Sequence, residues 1–284
     1  RLSTRLDDTT HDLPFVCLGP GGQVDVQAGE EKGQPIWTID NGHARFVVAP
    51  DFSGAVVAWV TPDGHNHLDT DFPKPTARSW LAPWYGGIWP ILWKPGESYP
   101  GKLYGENWTS SPMETRDTQG LAWQGVRLMS ELQREPLRGL AVEIDYLTTG
   151  GSQLLKAVLR VVNRTEAICK VEGGWATFWA PDGNASENVL YGEDWQSKRT
   201  DFMDAWIHAG YWGAVVTPAT GTTAIVVCPE PIIKLMDEGR SATSLNPHAE
   251  MTIPPLADMK RVVYFVVASD LSLARAYACL KDAK

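Results

Sequence analysis

Residues 140–162 read LAVEIDYLTTGGSQLLKAVLRVV. Two apolar runs, 140–146 and 154–162, flank the turn-forming sequence Thr149-Gly150-Gly151. The runs have the length of strands rather than helices, and the glycines allow the positive φ that a tight reversal needs. The segment therefore predicts an antiparallel β-hairpin.

The same pattern of short β-branched and aromatic runs between turn residues recurs along the chain. Further predicted strands cover residues 35–39, 44–48, 54–60, 173–179, 208–217, 222–228, 232–236 and 261–268. We expect an all-β fold, one large antiparallel β-sandwich with few short helices, over residues 35–284, preceded by a polar, glycine-rich arm over 1–34. Only residues 271–280 have helical spacing, with Ser269 or Asp270 as the N-cap.

The segment 72–125 differs from the rest because it is rich in tryptophan and is interrupted by proline and glycine. Proline lacks the N–H that a central strand donates, so we expect long loops here, crossing the mouth of the sandwich.

Composition excludes several classes of function. The net charge is −9 and no Lys/Arg-rich run occurs, which argues against a nucleic-acid partner. No apolar stretch is long enough to span a membrane, and the N-terminal residues lack the apolar core of a signal peptide. We expect a cytoplasmic protein, with a trimmed leader as the alternative.

Cys17, Cys169, Cys228 and Cys279 form no metal-binding pair, and Cys169 and Cys228 are expected to be buried thiols. No metal or other cofactor is expected.

Tryptophan is the distinctive residue, with 13 in the chain and five between Trp80 and Trp108. Flat indole faces stack on the apolar face of a sugar ring, so the cluster indicates carbohydrate recognition, with a mono- or oligosaccharide as the partner. The alternative is that these rings fill the core. The candidate substrate-binding residues are Arg78, Trp84, Trp89, Trp108, Trp175, Trp179 and Trp195.

Three glutamates are candidates for acid/base chemistry. The hexapeptides LYGENW at 103–108 and LYGEDW at 190–195 nearly repeat, so Glu106 and Glu193 could form a carboxylate pair; chance similarity of two turns is the alternative. Glu230 lies between two prolines at the end of a strand, where a rigid turn is the alternative role. The alternating His65, His67, Asp69 and Asp71 favour a solvated hairpin edge over a metal site.

The order of these features resembles the galactose mutarotase-like (aldose 1-epimerase-related) family. The similar parts are NGHARFVVAP at 41–50, SGAVVAW at 53–59, HNHL at 65–68, WYGGIW at 84–89 and VVNRT at 161–165. The resemblance implies a β-supersandwich that binds sugars on its concave sheet, with a glutamate base and a histidine acid. Glu230 best matches that base by its late position.

The sequence departs from the family pattern at its histidines. After residues 163–165 the family has a histidine and an aromatic residue, where this chain reads GWATFWAP at 174–181, and the earlier histidine is absent near Glu106. Tyr104, Tyr191 or His208 would have to replace them. The sequence therefore leaves three functions open: a mutarotase-like isomerase, a non-catalytic carbohydrate-binding domain, and a polysaccharide lyase or glycosidase.

Overall fold

The fold was analysed in a computed structural model of the chain. The structure describes residues 2–6, 9–13, 16, 18, 22–78, 81–183, 185, 188–194, 196–198, 207–237 and 243–283. Numbered along the chain, its strands are β1 (Leu2–Leu6), β2 (Thr9–Leu13), β3 (Asp25–Glu31), β4 (Gln34–Asp40), β5 (Arg45–Ala49), β6 (Ala55–Val60), β7 (Thr76–Arg78), β8 (Leu81–Trp84), β9 (Ile88–Trp93), β10 (Thr109–Arg116), β11 (Ala122–Glu131), β12 (Leu140–Thr148), β13 (Leu154–Asn163), β14 (Cys169–Thr177), β15 (Val189–Tyr191), β16 (Gln196–Lys198), β17 (Ile207–Gly210), β18 (Trp212–Val216), β19 (Thr223–Val227), β20 (Ile233–Asp237), β21 (Thr243–Ile253) and β22 (Asp258–Ala268).

Two nine-stranded sheets form the body of the molecule. The first sheet has the order β10-β11-β12-β13-β22-β19-β18-β15-β16, and the second has the order β17-β20-β21-β14-β9-β6-β5-β4-β3. Neighbouring strands in both sheets are antiparallel, as the turn residues predicted. The hairpin predicted over 140–162 is the β12–β13 pair, in which Leu140 lies opposite Asn163. The expectation of a large antiparallel β-sandwich is confirmed.

The main core lies between the two sheets. Each strand alternates its side chains, so one face of each sheet contributes to this core. Its largest members are Trp59, Trp175, Trp179, Tyr146, Phe46 and Phe265, all fully buried. Two smaller clusters cover the outer faces: one around Trp84 and Trp89 on the second sheet, and one around Trp123, Trp212 and Tyr264 on the first.

The C-terminal helix packs on the outer face of the first sheet. It begins as an α-helix, α1 (Leu271–Ala276), and continues as a 3-10 helix over Tyr277–Asp282. The Asp270 side chain accepts a hydrogen bond from the Leu273 backbone N–H at 2.8 Å. This confirms the predicted helix and selects Asp270 as the N-cap.

The prediction of loops over 72–125 is wrong for its middle part. Residues 88–93 form β9, a fully buried strand in the centre of the second sheet between β14 and β6. Pro90 is tolerated because the ladder between β9 and β6 consists of the single pair Ile88–Val56, which leaves an open side where no N–H is needed. Residues 109–116 and 122–131 are also strands.

The second sheet begins earlier than predicted. Strand β3 lies within the stretch interpreted as an arm, yet it pairs with β4 as the edge strand of this sheet. The division into an arm over 1–34 and a domain over 35–284 stays a prediction. Cys169 and Cys228 are buried free thiols, as expected, whereas Cys279 is exposed and Cys17 lies outside the described residues.

Candidate functional site

Four of the predicted platform tryptophans lie in the protein interior. Trp84, Trp175 and Trp179 have 0% of their surface exposed, and Trp89 has 1%. Trp175 and Trp179 belong to the core between the sheets, while Trp84 and Trp89 belong to the cluster on the outer face of the second sheet. None of these rings presents a face to a ligand, so the predicted platform is not formed by them. Core packing, the alternative considered for each ring, explains them.

The two remaining tryptophans and Arg78 do not complete a platform either. Trp108 is half-buried against the main core, and Trp195 lies outside the described residues. The Arg78 guanidinium lies 3.5 Å from the centre of the Trp84 ring and makes ion pairs with Asp69 and Asp71 at 2.6 and 3.2 Å. Through these contacts the Arg78 guanidinium is held in place over the Trp84 ring.

The alternating His and Asp residues do not converge on a metal. His67 is buried and both its ring nitrogens are engaged, Nε2 with the Thr61 hydroxyl at 2.7 Å and Nδ1 as the acceptor for the Asp182 N–H at 3.1 Å. Asp69 and Asp71 pair with Arg78 instead. Across the described ranges, no group of three or more His, Cys, Asp or Glu side chains could hold a metal ion.

Glu106 and Glu193 do not form a carboxylate pair. Glu106 accepts hydrogen bonds from the backbone N–H groups of Gln133 and Arg134, in the loop between β11 and β12. Glu193 follows β15 and lies 3.4 Å from the Lys281 ammonium. Four strands of the first sheet separate β12 from β15, which at about 4.8 Å per strand step places them roughly 24 Å apart. Paired carboxylates act over about 5–10 Å.

Glu230 lies in the turn after β19, and its carboxylate is 53% exposed. It pairs at 3.3 Å with the guanidinium of Arg261, a side chain that is 4% exposed. Arg261 also donates to the backbone carbonyls of Gly173 and Ala249, so it links the first sheet to the second. Glu230 therefore neutralises a buried structural arginine.

A polar cluster that the sequence did not reveal lies on the outer face of the second sheet. The Glu172 carboxylate on β14 lies 2.7 Å from Nδ1 of His248 on β21 and 2.8 Å from the ammonium of Lys234 on β20. Both contacts are made by the same atom, Oε1 of Glu172. The three side chains come from adjacent strands and point away from the main core.

Aromatic rings enclose the histidine of this cluster. The His248 ring lies 5.2 Å from the ring centre of Trp93 and 5.6 Å from that of Tyr99. The strand β14 has a glycine, Gly174, opposite His248; a Cβ there would lie 2.9 Å from the Cβ of His248. Because Gly174 has no side chain, β14 and β21 can pair here without a clash against His248. We call Glu172, Lys234, His248, Trp93 and Tyr99 the outer cluster.

The charges of the outer cluster follow from its contacts. The hydrogen bond from His248, with that from Lys234, lowers the pKa of Glu172 to about 2 against the opposing influence of burial. Burial lowers the pKa of His248, and Glu172 acts in the opposite direction. Near neutral pH the carboxylate is therefore ionised and the imidazole neutral. Since an ionised carboxylate only accepts, Nδ1 of His248 carries the proton that is donated to it.

Only part of the outer cluster is accessible to a ligand. The Glu172 side chain is 30% exposed and that of Lys234 is 22% exposed, whereas His248 is 4% exposed. His248 thus positions Glu172 from beneath. A bound molecule would meet the carboxylate and the ammonium.

One predicted residue lies beside the outer cluster. His208 on β17 is exposed and is the cross-strand partner of Lys234. Directly opposite residues of an antiparallel pair project from the same face with Cβ atoms about 4.5–5.5 Å apart. Of the four predicted catalytic residues, Glu106, Glu193, His208 and Glu230, His208 is the one placed next to this cluster.

The sequence carried a weak signal for the cluster. Glu172 and Lys234 each lie between uncharged residues of their strands, and alternation alone turns both away from the core. Glu172 and Lys234 are 62 residues apart along the chain. They converge because β21 pairs with both β14 and β20 in the second sheet. No local pattern encodes that pairing.

Two nine-stranded antiparallel sheets packed face to face form a β-sandwich with the galactose mutarotase-like fold. Solved structures match this fold over most of the chain. A candidate aldose 1-epimerase from Klebsiella pneumoniae is 11% identical with a TM-score of 0.64, over 90% of this chain and 85% of that one. A galactose mutarotase-like protein from Lactobacillus casei is 11% identical with a TM-score of 0.61, over 82% of this chain and 100% of that one.

A third match is the galactose 1-epimerase from Lactobacillus acidophilus, 11% identical with a TM-score of 0.58, over 87% of this chain and 99% of that one. No protein-family model matches the sequence, and no curated protein matches it. The resemblance inferred from the sequence is thus confirmed at the level of the fold. Within the described part of the chain, no helix combines the length and the apolar character needed to cross a membrane.

Proposed function

We propose that this protein binds a carbohydrate on the outer face of its second sheet, at the outer cluster. The observation that carries the proposal is the pairing of a partly exposed, ionised Glu172 carboxylate with a partly exposed Lys234 ammonium at 2.8 Å. The fold supports it, because solved proteins of the same architecture are named for galactose and other aldoses.

The outer cluster offers the groups that sugar hydroxyls need. A hydroxyl is both donor and acceptor, so neighbouring hydroxyls can donate to a carboxylate and accept from an ammonium. Both hydrogen bonds to Glu172 go to Oε1, and no described residue donates to Oε2. Bonds to charged groups contribute about 1.5–3 kcal/mol each, enough for specific recognition. The half-buried Tyr99 ring beside Trp93 adds an apolar edge for the sugar ring.

Binding is better supported than proton transfer. A general base works best when its pKa lies near the working pH, and Glu172 has a pKa of about 2. Glu172 is therefore a strong acceptor of hydrogen bonds but a weak base. A catalytic role for His208 as an acid, or for Glu230 as a base, stays a prediction.

Titration against a sugar panel tests the proposal. Calorimetry and tryptophan fluorescence would be recorded with D-glucose, D-galactose and short oligosaccharides. We expect saturable binding of at least one, weakened at least about tenfold by Glu172→Gln, which removes the charge but keeps the shape. Glu114→Gln is the matched control, because Glu114 is an exposed carboxylate on β10, the edge strand of the other sheet. Absence of binding throughout, or equal loss in both variants, would contradict the proposal.

Exchange NMR of equilibrated aldose anomers separates binding from isomerisation. We expect the exchange rate to equal that in buffer. An acceleration that is lost in His208→Ala or Glu230→Gln would instead make the protein an isomerase and identify its proton-transfer residue.

A further inference from the structure

A cavity of about 820 Å³ lies on the outer face of the first sheet. Its floor is formed by Trp123 on β11, Lys156 on β13 and Tyr264 on β22, and the turn between β10 and β11 forms one wall. The opposite wall is apolar and includes Leu18 and Leu280. We call this cavity the Lys156 pocket. The first sheet and the main core separate it from the outer cluster.

The ammonium of Lys156 has an unusual environment for a lysine. It lies 4.7 Å from the ring centre of Trp123 and 5.9 Å from that of Tyr264. Among the described residues, no oxygen accepts a hydrogen bond from it and no carboxylate forms an ion pair with it. Burial lowers the pKa of Lys156, and the charges of Asp117 and Asp145 act in the opposite direction.

The two carboxylates whose charges raise the pKa of Lys156, those of Asp117 and Asp145, form their hydrogen bonds with other groups. Asp117 accepts from the Trp123 indole N–H at 3.2 Å and from two backbone N–H groups of its own turn. Asp145 accepts from Arg127 at 2.6 and 2.8 Å. Asp117 also lines the cavity, but it makes no ion pair with Lys156. A half-buried ammonium without a direct ion pair is costly, and an anion in the cavity would remove that cost.

We propose that the Lys156 pocket binds a small molecule that combines an anionic group with an apolar ring. The anionic group, a carboxylate or a phosphate, would pair with the Lys156 ammonium, and the ring would pack against Trp123 and the apolar wall. This second site is independent of the carbohydrate site, because it uses other residues on the other sheet.

Ligand-observed NMR titrations with three small probes test the inference. Benzoate and phenyl phosphate carry the anion and the ring, and benzamide is the neutral control. We expect at least one anionic probe to bind, with benzamide at least about tenfold weaker. Binding of phenyl phosphate alone would identify a phosphate site, and binding of benzoate would extend it to carboxylates.

Variants assign the binding to Lys156. Lys156→Met keeps the apolar stem over Trp123 and should weaken the anionic probe at least about tenfold, whereas Lys156→Arg should retain binding. Lys260→Met is the matched control, since Lys260 is exposed on the same sheet and lies opposite Arg160, away from the cavity. Equal binding by Lys156→Met, benzamide that binds as tightly as benzoate, or no binding of either anion at millimolar concentration would overturn the inference.

Discussion

Lys234 on the outer face of the second sheet and Lys156 on the outer face of the first sheet have opposite surroundings. Lys234 on the second sheet lies 2.8 Å from Glu172 and 3.3 Å from His248. Lys156 on the first sheet faces the rings of Trp123 and Tyr264, with no ion pair among the described residues. Each lysine lies between apolar residues of its own strand, so the difference arises from the neighbouring strands.

The comparison shows how one fold can present two chemistries. The outer cluster is a balanced arrangement of carboxylate, ammonium and neutral imidazole, suited to hydroxyl groups. The Lys156 pocket has an unbalanced positive charge beside aromatic rings, which suits an anion. Both sheets have the same antiparallel architecture, so the side chains from adjacent strands make the difference between the two sites.

The largest expected effect concerns the core that lies between these two faces. Trp175→Ala removes a ring with 0% exposure, which should cost about 3–5 kcal/mol in the free energy of unfolding. Trp108→Ala is the comparison, and its half-buried ring should cost clearly less. Urea denaturation measures both, and equal losses would contradict the assignment of Trp175 to the core rather than to a ligand surface.

Acidification should lower the free energy of unfolding, because it protonates groups of the outer cluster. The folded pKa of Glu172, about 2, lies below its ordinary value of 4.5. The ionised carboxylate therefore stabilises the fold above about pH 4.5, and this stabilisation is lost as the pH falls from there towards 2. The lowered pKa of His248 acts in the same sense, because protonation below its ordinary value favours the unfolded chain.

This pH dependence can be measured by comparing the wild type with Glu172→Gln. Above pH 5 the wild type should be more stable by an amount on the order of 1–3 kcal/mol, and the gap should shrink towards pH 3. Urea denaturation across that range provides the data. A gap that stays constant with pH would contradict the ionised state assigned to Glu172.

The smallest expected effects are the stability changes on replacing each of the two lysines with methionine. Lys234→Met removes a partner of Glu172 and should cost about 1 kcal/mol, reduced by the partial exposure of the pair. Lys156→Met should change stability by less than about 0.5 kcal/mol, because the loss of the cation–π contact is offset by relief of a buried charge. Thermal denaturation of both variants checks the order, and a larger loss for Lys156→Met would break the comparison.

Local patterns in the sequence predicted about half of the strands and the C-terminal helix. The runs at 140–146 and 154–162 became β12 and β13, and the capping residue Asp270 marks the start of α1. Strand β9 was not predicted because it contains Pro90, and a proline is rarely found in a central strand. Its tolerance depends on the short pairing with β6, which only the assembled sheet reveals.

The candidate site was less predictable than the fold. Composition indicated a sugar-binding role for the tryptophans, but burial placed Trp84, Trp89, Trp175 and Trp179 in the interior. The contacts between Glu172, Lys234 and His248 join three strands that are distant in sequence. Such contacts follow from strand order and register, which periodicity does not encode.

The most direct test is a crystal structure of the protein with the sugar that binds most tightly in the titration. Our expectation is that sugar hydroxyl oxygens lie within about 2.6–3.2 Å of the Glu172 carboxylate and the Lys234 ammonium. A sugar bound away from these residues, for example in the Lys156 pocket, would contradict it.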